Sequence, residues 1–111
     1  MRKSMIFSAF LIGLLLTAFS LCAQDKGEPD KGNEIFDEHC GSCHNAYSDE
    51  RKKGPSLKGL FVKGKLESNG KPANEPNIRQ KIGAGGNGMP AFKESFSAAD
   101  QADLIAYLKT L

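Results

Sequence analysis

The chain has 111 residues, room for one domain. Its 15 basic and 13 acidic residues leave a formal charge of +2, which excludes the strongly basic character of a nucleic-acid binder. Twelve glycines and no tryptophan describe a small chain short of core-forming side chains, so a staple or a large buried group has to supply what they lack.

Taken in chain order, the first feature is an export pattern. Arg2 and Lys3 precede an uncharged stretch whose middle, IFSAFLIGLLLTAF, is strongly apolar, and Leu21, Cys22 and Ala23 form a small-residue cleavage site. This reads as a secretory signal peptide, residues 1–23, expected to be cut after Ala23. The apolar run is also long enough for an uncleaved membrane helix, in which case the protein stays anchored. Leu21 is too bulky for a lipoprotein signal, so Cys22 reads as an apolar-region residue that is discarded. The folded domain is then residues 24–111. Without Arg2 and Lys3 its basic residues equal its 13 acidic ones. The two signs are segregated. Asp25, Glu28, Asp30, Glu34, Asp37 and Glu38 come first; Arg51, Lys52, Lys53, Lys58, Lys63 and Lys65 follow. Solvated faces are the commoner meaning of such runs; a dipole that orients the protein on a partner is the functional one.

A first helix is expected from Pro29 to His39. Pro29 suits the first turn, acidic residues suit the positive end of the helix dipole, and Ile35 and Phe36 supply an apolar face. Gly32 costs about 1 kcal/mol relative to Ala inside a helix. Either the helix start is frayed, or another helix approaches closely and faces Gly32 with Leu104 or Tyr107. Further on, residues 54–76 are punctuated by Gly and Pro and read as loops. A short helix over residues 77–82 follows Pro76, carries Ile78 and Ile82 on one face, and stops at GAGGNG. The last helix is the clearest. Ser97 and Asp100 form a capping box, Leu104, Tyr107, Leu108 and Leu111 form one stripe, and Lys109 lies in the last turn. No alternating strand pattern interrupts this, so the class is all-α with long loops.

The chemistry is concentrated in HCGSCHN, residues 39–45. Cys40, Cys43 and His44 form C-x-x-C-H, the attachment pattern of c-type haem. Two thiols so spaced can add to the two porphyrin vinyl groups, and His44 is then carried beneath the iron as proximal ligand. A thioredoxin-like pair needs a βαβ scaffold that is missing. A structural zinc site needs four ligands, and the domain offers two Cys, His44 and the adjacent His39. A plain disulfide explains neither His44 nor the thin core. For the sixth iron position the candidate is Met89, the one methionine left after export, in the Gly-Pro loop GGNGMPAF. A methionine is often core filler, but this one belongs to no helical stripe. His39 reads as a solvent-facing residue at the helix end.

With these motifs in order, the chain resembles a small monohaem cytochrome c of the class with His/Met ligation, bacterial and exported. KGNEIFDEHCGSCH is similar to the family's first helix and haem motif, GPSLKGLF to the following loop, GMPAF to the methionine loop, and ADLIAYLKTL to the final helix. The resemblance implies a cytochrome c-like all-α fold, three to four short helices and long loops around one covalent haem c. It implies that Cys40 and Cys43 are the thioether residues and that His44 and Met89 are the axial ligands. It further implies that the Pro55 carbonyl accepts a hydrogen bond from His44, and that Gly32 and Phe36 pack on Leu104 and Tyr107. Leu57, Leu60, Phe61, Ile78, Ile82, Phe92 and Leu108 are candidates for the pocket wall. Residues 62–76 hold nothing recognisable as a haem propionate contact.

The expected function is periplasmic electron transfer, with no catalytic residues and no bond chemistry of its own. The expected partners are redox proteins docking at the haem edge, ringed by Lys52, Lys53 and Lys58. Such docking is weak and salt-sensitive. The alternatives are a haem sensor or peroxidase-like protein with an open sixth position, and a small haem subunit of a dehydrogenase or oxidase complex. The chain is expected to be a monomer or such a subunit, to bind no nucleic acid, and to touch the membrane only through an uncleaved signal segment.

Overall fold

The computed structural model describes residues 26–111. The expected signal segment, its cleavage site and Cys22 lie outside them. Three helices carry the described chain: α1 (Pro29–His39), α2 (Glu75–Ala84) and α3 (Ala98–Leu108). Among the described residues there is no strand, only isolated bridges pairing Lys65 with Pro72 and Gly86 with Met89. No helix among them is long and apolar enough to cross a membrane.

Helix α1 has the expected bounds, with Pro29 in its first turn and Asp30 beside it. Its start is tied to the far end of the chain: the Glu28 amide donates to Asp103 Oδ1 at 2.7 Å. The α1–α3 crossing is the main helix contact, and it explains Gly32. A Cβ there would run into the Asp103 carbonyl and sit 2.7 Å from Tyr107 Cβ. Gly32 is buried, so the frayed-start explanation fails, and its partners are Asp103 and Tyr107. Phe36 packs tilted on Tyr107, ring centroids 5.4 Å apart.

Helix α3 carries the expected capping box, Ser97 and Asp100 each accepting from the other's backbone. Its buried face holds Leu104, Tyr107 and Leu108 as expected, and also Ala102 and Ile105. Lys109 does not serve the helix end. It follows the last turn as the cap residue and its ammonium reaches Glu75 Oε2 at 2.8 Å, because a full carboxylate attracts it more than end carbonyls do. Glu75 also holds Arg79, and the two cations keep its carboxyl below the usual carboxylate range, Lys109 first.

Helix α2 is longer than residues 77–82 at both ends. Asn74 caps it through the Asn77 amide, which places Pro76 inside the first turn, where its missing N–H costs nothing. The core joins all three helices with the intervening loops: Phe36, Leu60, Leu66, Ile78, Ile82, Phe96, Leu104, Ile105, Tyr107 and Leu108 are all buried. Of the expected wall residues, Leu60, Ile78, Ile82 and Leu108 belong to that cluster, while Leu57, Phe61 and Phe92 pack against it half-buried.

Candidate functional site

Helix α1 ends where the cysteine motif begins, so the core positions the motif directly. The amides of Cys40 and Gly41 both donate to Phe36 O at 2.8 Å. The chain then coils on one carbonyl: Cys43 and His44 donate to Cys40 O at 3.0 and 2.9 Å. Both thiols and the imidazole therefore stand on a single tight turn. Cys40 and Cys43 are half-buried free thiols. Burial pushes the Cys40 thiol up to about 11, with a smaller contribution from Cys43. A thiol that stays protonated at neutral pH is a poor partner for disulfide exchange.

The segment after the motif folds back over it. Gly54 donates to Cys43 O and Leu57 to Asn45 O, both at 2.8 Å, and Lys52 Nζ reaches Gly41 O at 2.6 Å. This strap brings Pro55 O within 2.8 Å of His44 Nδ1. A carbonyl only accepts, so Nδ1 carries the proton and Nε2 keeps its lone pair for a metal. Gly54 closes on the imidazole itself: a Cβ there would lie 2.5 Å from Cε1 and 2.8 Å from Nδ1.

Met89 comes from a separate segment. Gly86 and Met89 hydrogen-bond each other in both directions, at 2.9 and 3.2 Å. Asn87 and Gly88 between them have φ of 56° and 87°, the pattern of a type I′ turn, for which Asn-Gly is the preferred pair. Beyond it, Phe92 and Lys93 donate to Ile82 O and Gly83 O at the end of α2. Met89 is half-buried against the same apolar cluster as Cys40.

His39 is exposed at the helix end, as expected, but its ring also has aromatic neighbours. It keeps 37% of its side-chain surface, but the ring edge packs on Phe96 and Phe92, centroids 5.2 and 6.1 Å away. Those phenyl rings are stacked at 4.8 Å, so His39 helps fasten the exit of the methionine loop to α1. Of the expected docking lysines, Lys52 is spent on Gly41 O and Lys58 on Asp49 at 3.2 Å.

The structure thus brings Cys40, Cys43, His44 and Pro55 together and sets Met89 on the same apolar cluster. These groups fit a flat apolar cofactor tied by two thiols: an imidazole with a free Nε2, and half-covered Leu57, Phe61, Met89 and Phe92. No three of His, Cys, Asp or Glu gather to hold a bare metal ion among the described residues. A surface cleft of about 730 Å³, lined by Lys26, Glu75, Arg79, Ile105 and Lys109 among others, contains none of these residues.

Comparison with known proteins agrees with this geometry. The cytochrome c family model matches residues 29–111. A cytochrome c-553-like protein of Synechocystis is 33% identical over 86 residues, 78% of this chain and 71% of that protein. The cytochrome c subunit of the cytochrome bc1 complex of Corynebacterium diphtheriae is 33% identical over 87 residues, 78% of this chain. This chain spans only 28% of that subunit. In fold, the crystal structure of cytochrome c6 from the diatom Phaeodactylum tricornutum superposes with a TM-score of 0.59 at 25% identity, covering 76% of this chain and 93% of that one. The chain belongs to the cytochrome c family: it is a small monohaem cytochrome c with one covalently bound haem c.

Proposed function

We propose that the protein is an exported electron carrier of the periplasm, with Cys40 and Cys43 as the thioether residues and His44 and Met89 as the axial ligands. One observation carries the ligand assignment. His44 Nδ1 is committed to Pro55 O, so the ring offers Nε2 and no other atom to the iron. The cofactor supplies the Fe(II)/Fe(III) couple; the chain holds, tunes and shields it. The Pro55 contact fixes the tautomer and raises the basicity of the imidazole, and Gly54 stops the ring from tilting. Met89 offers a thioether, which favours the reduced state relative to a second imidazole. Leu57, Leu60, Phe61, Ile82 and Phe92 exclude water. Held by both His44 and Met89, the iron would offer substrates no open position, which suits a carrier. The N-terminal charge and hydropathy pattern supports export, with residues 1–23 removed.

The likeness to bc1 cytochrome c subunits favours a second reading of the partner: the domain works docked to, or as part of, a cytochrome bc1-type complex rather than diffusing freely. Lys53, whose ammonium has no hydrogen-bond or ion-pair partner among the described residues, remains available for such docking beside the motif.

The test is the visible spectrum of the exported holoprotein, oxidised and reduced, with carbon monoxide added to the reduced form. A c-type spectrum with the weak far-red methionine–iron band, and no response to carbon monoxide, is expected. Ready carbon monoxide binding without that band means an open sixth position, and the sensor or peroxidase-like reading replaces this one.

A further inference from the structure

We propose that Lys81 is a positioning residue for Met89: its ammonium clamps the loop that presents the thioether and so sets how easily that ligand is displaced. The inference rests on the reading of Met89 as an axial ligand.

Four consecutive residues before Met89 lie in the left-handed region: Gly85, Gly86, Asn87 and Gly88 have φ of 64°, 106°, 56° and 87°. Three of them are glycines, which lose the most backbone freedom on ordering. Such a loop needs fasteners. Its exit has two, the backbone bonds from Phe92 and Lys93 to the end of α2. Its entry depends on Lys81. The Gly85 amide donates to Lys81 O at 2.8 Å, and the Lys81 ammonium returns to Gly85 O at 3.0 Å and Gly86 O at 3.3 Å. No other side chain among the described residues hydrogen-bonds residues 85–89.

The Gly86 carbonyl gives this clamp its consequence. It also accepts the Met89 amide, at 3.2 Å. A carbonyl oxygen has two lone pairs, and here one serves the ligand's own backbone while the other serves the ammonium. Holding Gly86 O in place therefore holds the amide of the residue whose thioether would reach the cofactor. The electrostatics point the same way. The loop leaves the C-terminus of α2, where unsatisfied carbonyls carry partial negative charge, and a cation there is stabilising. Hydrogen bonds from a charged donor are also stronger than neutral ones.

The experiment uses holoprotein with Lys81→Ala and Lys81→Arg, and Met89→Ala as the fully open reference. Each ferric form is titrated with imidazole while the far-red band is followed, and global stability is measured by denaturant. Lys81→Ala is expected to bind imidazole about tenfold more tightly than wild type, equivalent to about 1.4 kcal/mol. Its unfolding midpoint should move much less, and Lys81→Arg should restore most of the wild-type resistance. Should Lys81→Ala fail to accumulate as holoprotein, Lys81→Gln, a donor without the charge, is read in the same titration. Unchanged imidazole affinity with the band intact overturns the clamp, as does a gain matched by an equal loss of global stability, which is the mark of a merely structural role. A wild-type protein with no band and Met89→Ala-like imidazole binding overturns the ligand reading itself, and the clamp with it.

Discussion

Replacing Gly54 with Ala tests how firmly the strap fixes His44. The added Cβ would sit 2.5 Å from Cε1 and 2.8 Å from Nδ1 of the imidazole. Carbon atoms in ordinary contact lie about 3.5–4.0 Å apart, so the ring has to retreat by roughly 1 Å. The Nδ1 to Pro55 O separation is 2.8 Å, and hydrogen bonds of this kind end near ~3.2 Å, so a retreat of that size breaks the bond. Loss of the bond costs about 0.5–1.5 kcal/mol and the crowding about 1–3 kcal/mol. The holoprotein should lose about 1.5–4.5 kcal/mol of stability on these terms. Its reduction potential should also rise, because an imidazole without its carbonyl partner is a weaker donor to iron. The assays are guanidinium unfolding followed in both the visible and the far ultraviolet, and a redox titration. A Gly54→Ala protein with wild-type stability and potential would falsify the claim that Gly54 and Pro55 jointly seat the ring.

Two further outcomes follow from the helix contacts. Gly32→Ala gains about 1 kcal/mol of helix propensity but forces a methyl into the Asp103 carbonyl and Tyr107, and should still be less stable by about 2 kcal/mol in a denaturant melt; a variant as stable as wild type would show that α1 and α3 can separate at no cost. The Glu75 carboxyl is held below its usual range by Lys109 and then Arg79, so its stabilisation is present above the unfolded-state pKa and fades as pH falls through the lower folded-state value. The stability difference between wild type and Glu75→Gln should therefore be constant near neutrality and shrink as pH falls through and below the ordinary carboxylate range, and parallel pH profiles would remove Glu75 from the acid limb.

Much of the site is legible in the chain because it is local. Cys40, Cys43 and His44 fall in one turn, and a turn is encoded by spacing. Ser97 and Asp100 pair across one helical turn, and they form the box that their types and spacing predict. Met89 stands out by elimination, as the methionine left after residues 1–23. Its turn was visible too: Asn87-Gly88 is a strong signal for the tight reversal that presents it, although GAGGNG reads first as a helix stop. The helix expected over 77–82 falls short because Pro76 sits in its first turn rather than ahead of it.

What the chain does not display is distance between remote segments. Whether Gly32 was a frayed end or a contact surface depended on Asp103, far away in sequence, and the crossing of α1 and α3 decided it. Gly54 is one more glycine in a loop until the backbone bonds to Cys43 and Asn45 lay it on His44. His39 reads as a solvent-facing residue and is one, but nothing local announces that Phe92 and Phe96 reach its ring from beyond the methionine loop. Lys81 and Lys109 are ordinary surface lysines by composition, and only the fold shows one gripping Gly85 and Gly86 and the other turned to Glu75. Helix positions and the candidate attachment and ligand residues come from spacing and residue character, which short-range sterics and hydrogen bonding enforce. The seating of His44 and Met89 comes from contacts between segments that meet only when the core closes, and those contacts leave no periodic trace in the sequence.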